Sequence, residues 1–472
     1  MEIVGYASLR APGLIPCLIP TISIIPFQSF AIPKAWISHL LCYTRHSQNY
    51  LIPHFHPSAS SMLYKLKTLY NEYPRQYWLM ITGIVISTAG GSMIWPFLLI
   101  YANGKLQLPL STVATLISIN AGTGLFASFL AGTLADKIGR KAVMVFSLAL
   151  NGIAYFFLMS AGTYMQFVVL MVCIGLSNPM YQVGADAMLA DMIPSEKRTD
   201  AYAINRIANN AAFGIGPAMG GFLASRSYNL AFYGASAGFI IYSLLLYFLA
   251  HETLDKTISV TKNDSLASPI QGVERGAYAR VFHDKGYMAF VTVMAVGLIA
   301  PTMLWILMPV YAKTNFGIPE AQYGWIPTTN AFMCVFIQYS VTQVTRRYKT
   351  LPVAATGMLI YAVGTGMVAL MSNFLGFWFS MVVLTFGELT LVPTASKYVA
   401  DTAPADSRGR YMSVYWFGWG LARTLSPLIG GFLNDNLFPQ AIWIGGLFIG
   451  LSSAFGLIAL NSVTKARAAL PA

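Results

Sequence analysis

From Trp78 onward one pattern recurs: a run of about 20 mostly apolar residues, the length that spans the hydrocarbon of a bilayer, followed by a short polar break. Twelve such runs lie at 77–102, 111–131, 142–161, 164–189, 201–224, 229–249, 286–312, 321–343, 351–371, 374–398, 411–433 and 438–461. Only 10% of residues are charged, against about 25% in a soluble domain. The expected fold class is therefore an all-α integral membrane protein with twelve transmembrane helices, its partners including the lipid bilayer.

The net charge of +12 does not indicate nucleic acid, because a nucleic-acid binder clusters its basic residues on one face and here they are dealt out between apolar runs. Their distribution instead sets topology. Twenty-one Lys and Arg, among them Lys137, Arg140, Lys141, Arg346 and Arg408, fall in breaks on one side, and only Lys105, Arg226 and Lys313 on the other. Both ends of the bundle are expected in the cytoplasm. Cys17, Cys42, Cys173 and Cys334 have neither metal-ligand nor disulfide-framework spacing, so no metal and no cofactor is expected. A monomer is expected.

Residues 250–285 form the one long break, rich in charge and carrying "KNDSLASP", and read as a cytoplasmic linker between halves 62–249 and 286–462, with a cytoplasmic tail at 463–472. The halves repeat at an offset of 210: "MIWPFLLIYA" from Met93 meets "MLWILMPVYA" from Met303, Asn120 meets Asn330, Asp191 meets Asp401, Pro194 meets Pro404, Arg198 meets Arg408, and "GPAMGGFL" meets "SPLIGGFL". An ungapped offset across several spans signals two parallel six-helix repeats related by an axis along the membrane normal, with a site between them near the midplane. Residues 1–61 do not fit this plan. Broken by Pro12, Pro16, Pro20 and Pro26, they are expected to be disordered or not translated, with Met62 as the working start.

The most polar short run in the middle of the chain is "GTLADKIGRK" between the second and third spans. Gly132, Leu134, Asp136, Gly139, Arg140 and Lys141 match a loop signature, and with the repeat the chain resembles the major facilitator superfamily over about residues 70–465. A merely basic inside loop would explain neither the aspartate nor the glycines. Gly132 and Gly139 permit a tight turn and close helix approach. The resemblance implies that Asp136 meets the positive N-terminal end of the eleventh span near Tyr411. Arg140 is expected to pair with Asp191, and these contacts to latch the two halves at the cytoplasmic gate. "TQVTRRYKT" in the second half lacks the aspartate and glycines.

Within the superfamily, "RIANNAAFGIGPAMGG" in the fifth span resembles the antiporter signature of the drug:proton antiporters, with Arg206, Asn210, Gly216, Pro217, Gly220 and Gly221 in place. The alternative is a small-residue packing face, common in membranes. The group's basic signature in the fourth span is missing, since Met171 stands where the arginine belongs.

Ionisable residues inside a span are functional candidates. Glu388 in the tenth and Arg423 in the eleventh lie near the midplane, by their distance into each helix at 1.5 Å per residue. They are expected to be partners. A carboxylate balanced between burial and a neighbouring cation can load and release protons; the alternative is a permanent structural pair. Asp186 is the next proton-coupling candidate. Asn178, Gln182 and Asp186 form a polar stripe on the fourth span with Tyr181 beside it, facing either a cavity or the fifth span. Trp416, Trp95 and Trp305 join Asn178, Tyr181 and Gln182 as substrate-cavity candidates, with packing or interface anchoring as the alternative.

These features define a secondary active transporter, expected to exchange protons for small amphipathic or drug-like compounds by alternating access. A proton symporter or uniporter for a sugar or organic anion is the alternative. No G-x-x-x-x-G-K-[ST] loop or metal-ligand cluster supports an enzyme or a nucleotide-driven pump.

Overall fold

The computed structural model describes residues 70–254, 277–404 and 407–469. The expectations for residues 1–61 and for a start at Met62, and most of the 250–285 linker, lie outside them. Every regular element among the described residues is helical, as lipid demands of a chain whose backbone polar groups must be satisfied within each segment.

The first expected span is α1 (Arg75–Ile94) and α2 (Leu98–Leu106), joined by a 3₁₀ turn at Trp95–Phe97 where Pro96 has no N–H to give. There follow α3 (Leu110–Ile138), α4 (Arg140–Leu158), α5 (Tyr164–Met192), α6 (Arg198–Arg226) and α7 (Tyr228–Leu249). After the linker come α8 (Ala277–His283), α9 (Lys285–Gly297) and α10 (Ile299–Phe316), the last two making one span interrupted at Leu298 just before Pro301. The eighth span is in three pieces, α11 (Glu320–Tyr323), α12 (Trp325–Phe336) and α13 (Gln338–Thr345). The chain ends with α14 (Thr350–Met367), α15 (Phe374–Thr402), α16 (Arg408–Asn436) and α17 (Ala441–Ala469).

Nine helical stretches are long and apolar enough to cross a membrane, among the described residues. The expected spans at 201–224, 321–343 and 411–433 are helical but fall outside that set. α6 and α16 carry the polar and charged residues discussed below, and the eighth span is segmented.

The 210-residue repeat is visible in matched bonds. The Tyr77 hydroxyl donates to the carbonyl of Ala201 at 3.0 Å, and Tyr287 donates to that of Tyr411. Asn120 ties α3 to α5 through the Met171 carbonyl at 3.1 Å, and Asn330 ties α12 to α15 through Thr385 at 3.0 Å. The N-caps of α5 and α15 match too: Thr163 accepts from the Gln166 amide and Asn373 from that of Gly376. One apolar core crosses both halves, holding Phe97, Phe167 and Phe232 from the first and Phe290, Tyr311 and Trp443 from the second.

The halves touch unevenly along their length. On the α3–α16 seam Gly431 lies against Ser111 and Ala114, Gly122 against Thr424, and Gly420 against Leu125. Further along, neither Gly132 nor Gly409 has a described neighbour that an added Cβ would meet. On the other seam Gly221 lies against the Glu320 backbone and Gly324 against Pro217, and the Thr328 hydroxyl donates to the Gly214 carbonyl at 2.7 Å. The bundle is thus closed at the end holding Ser111 and Glu320, and parted at the end of the Gly132–Lys141 loop.

Candidate functional site

A cavity of about 780 Å³ lies between α3, α5, α8 and α16, within the size range of small-molecule sites. Its wall is mostly apolar, with Leu125, Phe129, Phe282, Trp416 and Phe417, and its polar groups include Asn120, Asn178 and Arg423. Of the expected cavity residues, the structure brings Asn178 and Trp416 to this wall, and it adds Arg423.

The other expected cavity residues lie elsewhere. Tyr181 packs into an apolar cluster with Met80, Met188 and Tyr242, its hydroxyl 3.4 Å from that of Tyr242. Trp95 is fixed in the proline-bearing 3₁₀ turn against the main core. Trp305 meets the ring of Phe213 at 6.3 Å between centroids. None of these three rings lines this cavity. Gln182 donates to both carboxylate oxygens of Asp186 at 3.1 and 3.2 Å, and the Tyr202 hydroxyl of α6 reaches the Asp186 carbonyl at 3.3 Å. The polar stripe of α5 therefore divides, with Asn178 on the cavity and Asp186 beside α6.

Glu388 and Arg423 are not partners. Glu388 accepts from the amide of Asn330 at 2.9 Å, and Arg206 of α6 is the cation within electrostatic reach of it, with no ion pair within 4.0 Å among the described residues. Arg423 has no carboxylate within 4.0 Å among the described residues, because it turns into the cavity on another seam. The second polar cluster is Arg206, Asn330 and Glu388, with Cys334 beside them. It spans the two halves, since Arg206 belongs to the first and the rest to the second. Asn330 was legible through its repeat mate Asn120, while nothing in the sequence pointed to Arg206 as the neighbour of Glu388.

Of the antiporter-like residues, Gly216 and Gly220 lie against α1 so closely that a Cβ would overlap Ser92 and the Met93 carbonyl. Gly221 and Pro217 meet the start of the eighth span, and Asn210 is half-buried on α6. This stretch is a close-packing face on both sides, with Arg206 at its polar end.

At the loop, Arg140 pairs with Asp191 at 2.6 Å. Both belong to the first half, so the pair ties α4 to α5 and does not latch the halves. Asp136 is 71% exposed and reaches Arg140 at only 3.9 Å, its one ion pair among the described residues; Gly132 likewise faces open space among the described residues. Gly139 has φ +108°, a conformation L side chains rarely adopt, which turns the chain directly into α4. Sequence reasoning missed Glu252. Its carboxylate accepts from the amides of Arg140 and Lys141, both at 3.1 Å, and so caps α4 where the helix end is positive. The Thr253 hydroxyl joins it by donating to Asp191 at 2.9 Å. The acid in "AHETL" carried no signal beyond its place at the end of a span.

At the closed end, Glu320 is 6% exposed. The Tyr228 hydroxyl of α7 donates to it at 2.6 Å, and Lys313 pairs with it at 3.0 Å. Asp435 of α16 accepts from the Ser111 amide at 2.7 Å, capping α3 from the opposite half.

Two related helical halves, closed at one end around a cavity, define a membrane transporter rather than an enzyme. The profile of the Major Facilitator Superfamily matches residues 80–304 and 290–471, and the chain belongs to that family. It is similar to a Na(+), Li(+), K(+)/H(+) antiporter of Planococcus maritimus, 24% identical over 75% of this chain and 86% of the relative. It is also similar to the quinolone resistance protein NorA of Staphylococcus aureus, 25% identical over 82% of this chain and 96% of the relative. Among solved structures the nucleoside transporter NupG superposes with a TM-score of 0.67 at 15% identity, covering 81% of this chain and 99% of that one.

Proposed function

We propose that this transporter is a proton-coupled antiporter that exports small amphipathic compounds by alternating access, with twelve spanning helices and both termini cytoplasmic. The observation that carries the reading is the Arg206–Asn330–Glu388 cluster. It holds a carboxylate of the second half within electrostatic reach of a cation of the first, with no ion pair between them within 4.0 Å among the described residues, so that a rocking motion would bring them together and part them in turn. The names of the antiporter and quinolone-resistance relatives support exchange and efflux. In this reading the structure is the inward-open state, and Asp136 reaches the N-terminus of α16 only when the cytoplasmic end closes. Asp186 is the reserve proton carrier.

The test is transport of a dye panel by everted vesicles with and without a pH gradient. Uphill, gradient-dependent dye movement is expected from the wild type and is lost in Glu388→Gln. Equal accumulation with and without the gradient would assign a uniporter instead.

A further inference from the structure

The cavity wall is asymmetric in charge: Arg423 is its one charged side chain among the described residues, whereas Asn120, whose amide donates to the Met171 carbonyl at 3.1 Å, and the hydroxyls of Ser128 and Ser413 leave only neutral acceptors. Arg423 offers guanidinium donors and no acceptor. The Asn178 carbonyl oxygen already accepts from Asn151 at 2.9 Å, which leaves its Nδ2 as a donor at the wall. The hydroxyls of Ser128 and Ser413 donate to carbonyls of their own helices, at 2.7 and 2.8 Å. No Asp or Glu lines the cavity among the described residues. An arginine in a membrane helix normally faces a counter-charge or water, and this one faces a space walled by Trp416, Phe417, Phe129 and Phe282.

The geometry points to an amphipathic organic anion as the cargo of this cavity: an aromatic or otherwise apolar body lies among the aromatic rings while its carboxylate or sulfonate accepts from Arg423 and Asn178. Aromatic walls alone would also hold an organic cation, but Arg423 opposes a like charge in the same space. The pair that sequence reasoning expected to neutralise Arg423 is absent, since Glu388 is engaged by Asn330 on the other seam. The substrate itself supplies the missing negative charge. This inference rests on the cavity being the transport site, and it is independent of whether protons drive the cycle.

The experiment measures equilibrium binding to the full chain in lipid nanodiscs with no gradient imposed, using radiolabelled 2-naphthoate, 2-naphthamide and 2-naphthylmethylammonium. Wild type is expected to bind the carboxylate at least about tenfold more tightly than the amide, as a charge-assisted hydrogen bond would provide, and the ammonium most weakly. Arg423→Gln is expected to erase the preference for the carboxylate over the amide while leaving amide binding in place, and Arg423→Lys to restore part of it. Asn178→Ala is expected to lower the same ratio by a smaller factor. Equal binding of carboxylate and amide by wild type, tighter binding of the ammonium, no binding of any probe, or an unchanged ratio in Arg423→Gln would each overturn the proposal. Should Arg423→Gln fail to fold, the wild-type ratio and Asn178→Ala decide it. Loss of pH-driven dye transport alongside intact selective binding would count against proton coupling alone.

Discussion

At the scale of residues, the proposed proton and cargo roles fall on different arginines. Sequence depth placed Glu388 and Arg423 at one level, which is true of each helix but says nothing about which seam a side chain faces; α15 and α16 present them to different neighbours. Two substitutions therefore separate what one pair could not. Arg206→Gln is expected to displace the pH profile of transport, because the cation near the exchanging carboxylate is gone. Arg423→Gln is expected to leave that profile in place and change substrate preference instead. Initial rates of vesicle transport measured across pH in both variants check this, and a displaced profile in Arg423→Gln would restore the original pairing. The Arg140–Asp191 contact was legible because both residues belong to short motifs. Glu252 was not, since its partners are backbone amides that no side-chain pattern announces.

At the scale of elements, helix existence and the duplication could be read directly, because hydropathy and a fixed offset survive without knowing any contact. The breaks were less legible: Pro96, Pro301 and Pro327 each remove a backbone donor, yet α6 keeps Pro217 within a continuous helix. Pro179, Pro393 and Pro427 likewise stay within continuous helices, so a proline alone does not mark a break. The small-residue face of α6 makes a sharp prediction. Gly220→Ala forces a Cβ onto the Met93 carbonyl of α1, a backbone obstacle that cannot swing aside, and overpacking of this kind costs about 1–3 kcal/mol. Gly104→Ala in α2, where nothing lies within 4 Å, is the control. Thermal stability of the detergent-solubilised protein, followed by size-exclusion, should fall for Gly220→Ala and hold for Gly104→Ala. Equal stability of the two would show that α6 is free to move off α1.

At the scale of the whole molecule, alternating access requires that the closed end open, so the contacts holding it shut set the balance between states. The Tyr228–Glu320–Lys313 group joins α7 of the first half to the start of the eighth span of the second. A hydrogen bond to a buried charged group contributes about 1.5–3 kcal/mol, so Tyr228→Phe is expected to move the population toward opening at this end by roughly tenfold or more. Spin-label distances between α7 and α12 at that end report it, and an unchanged distribution would remove this group from the gate.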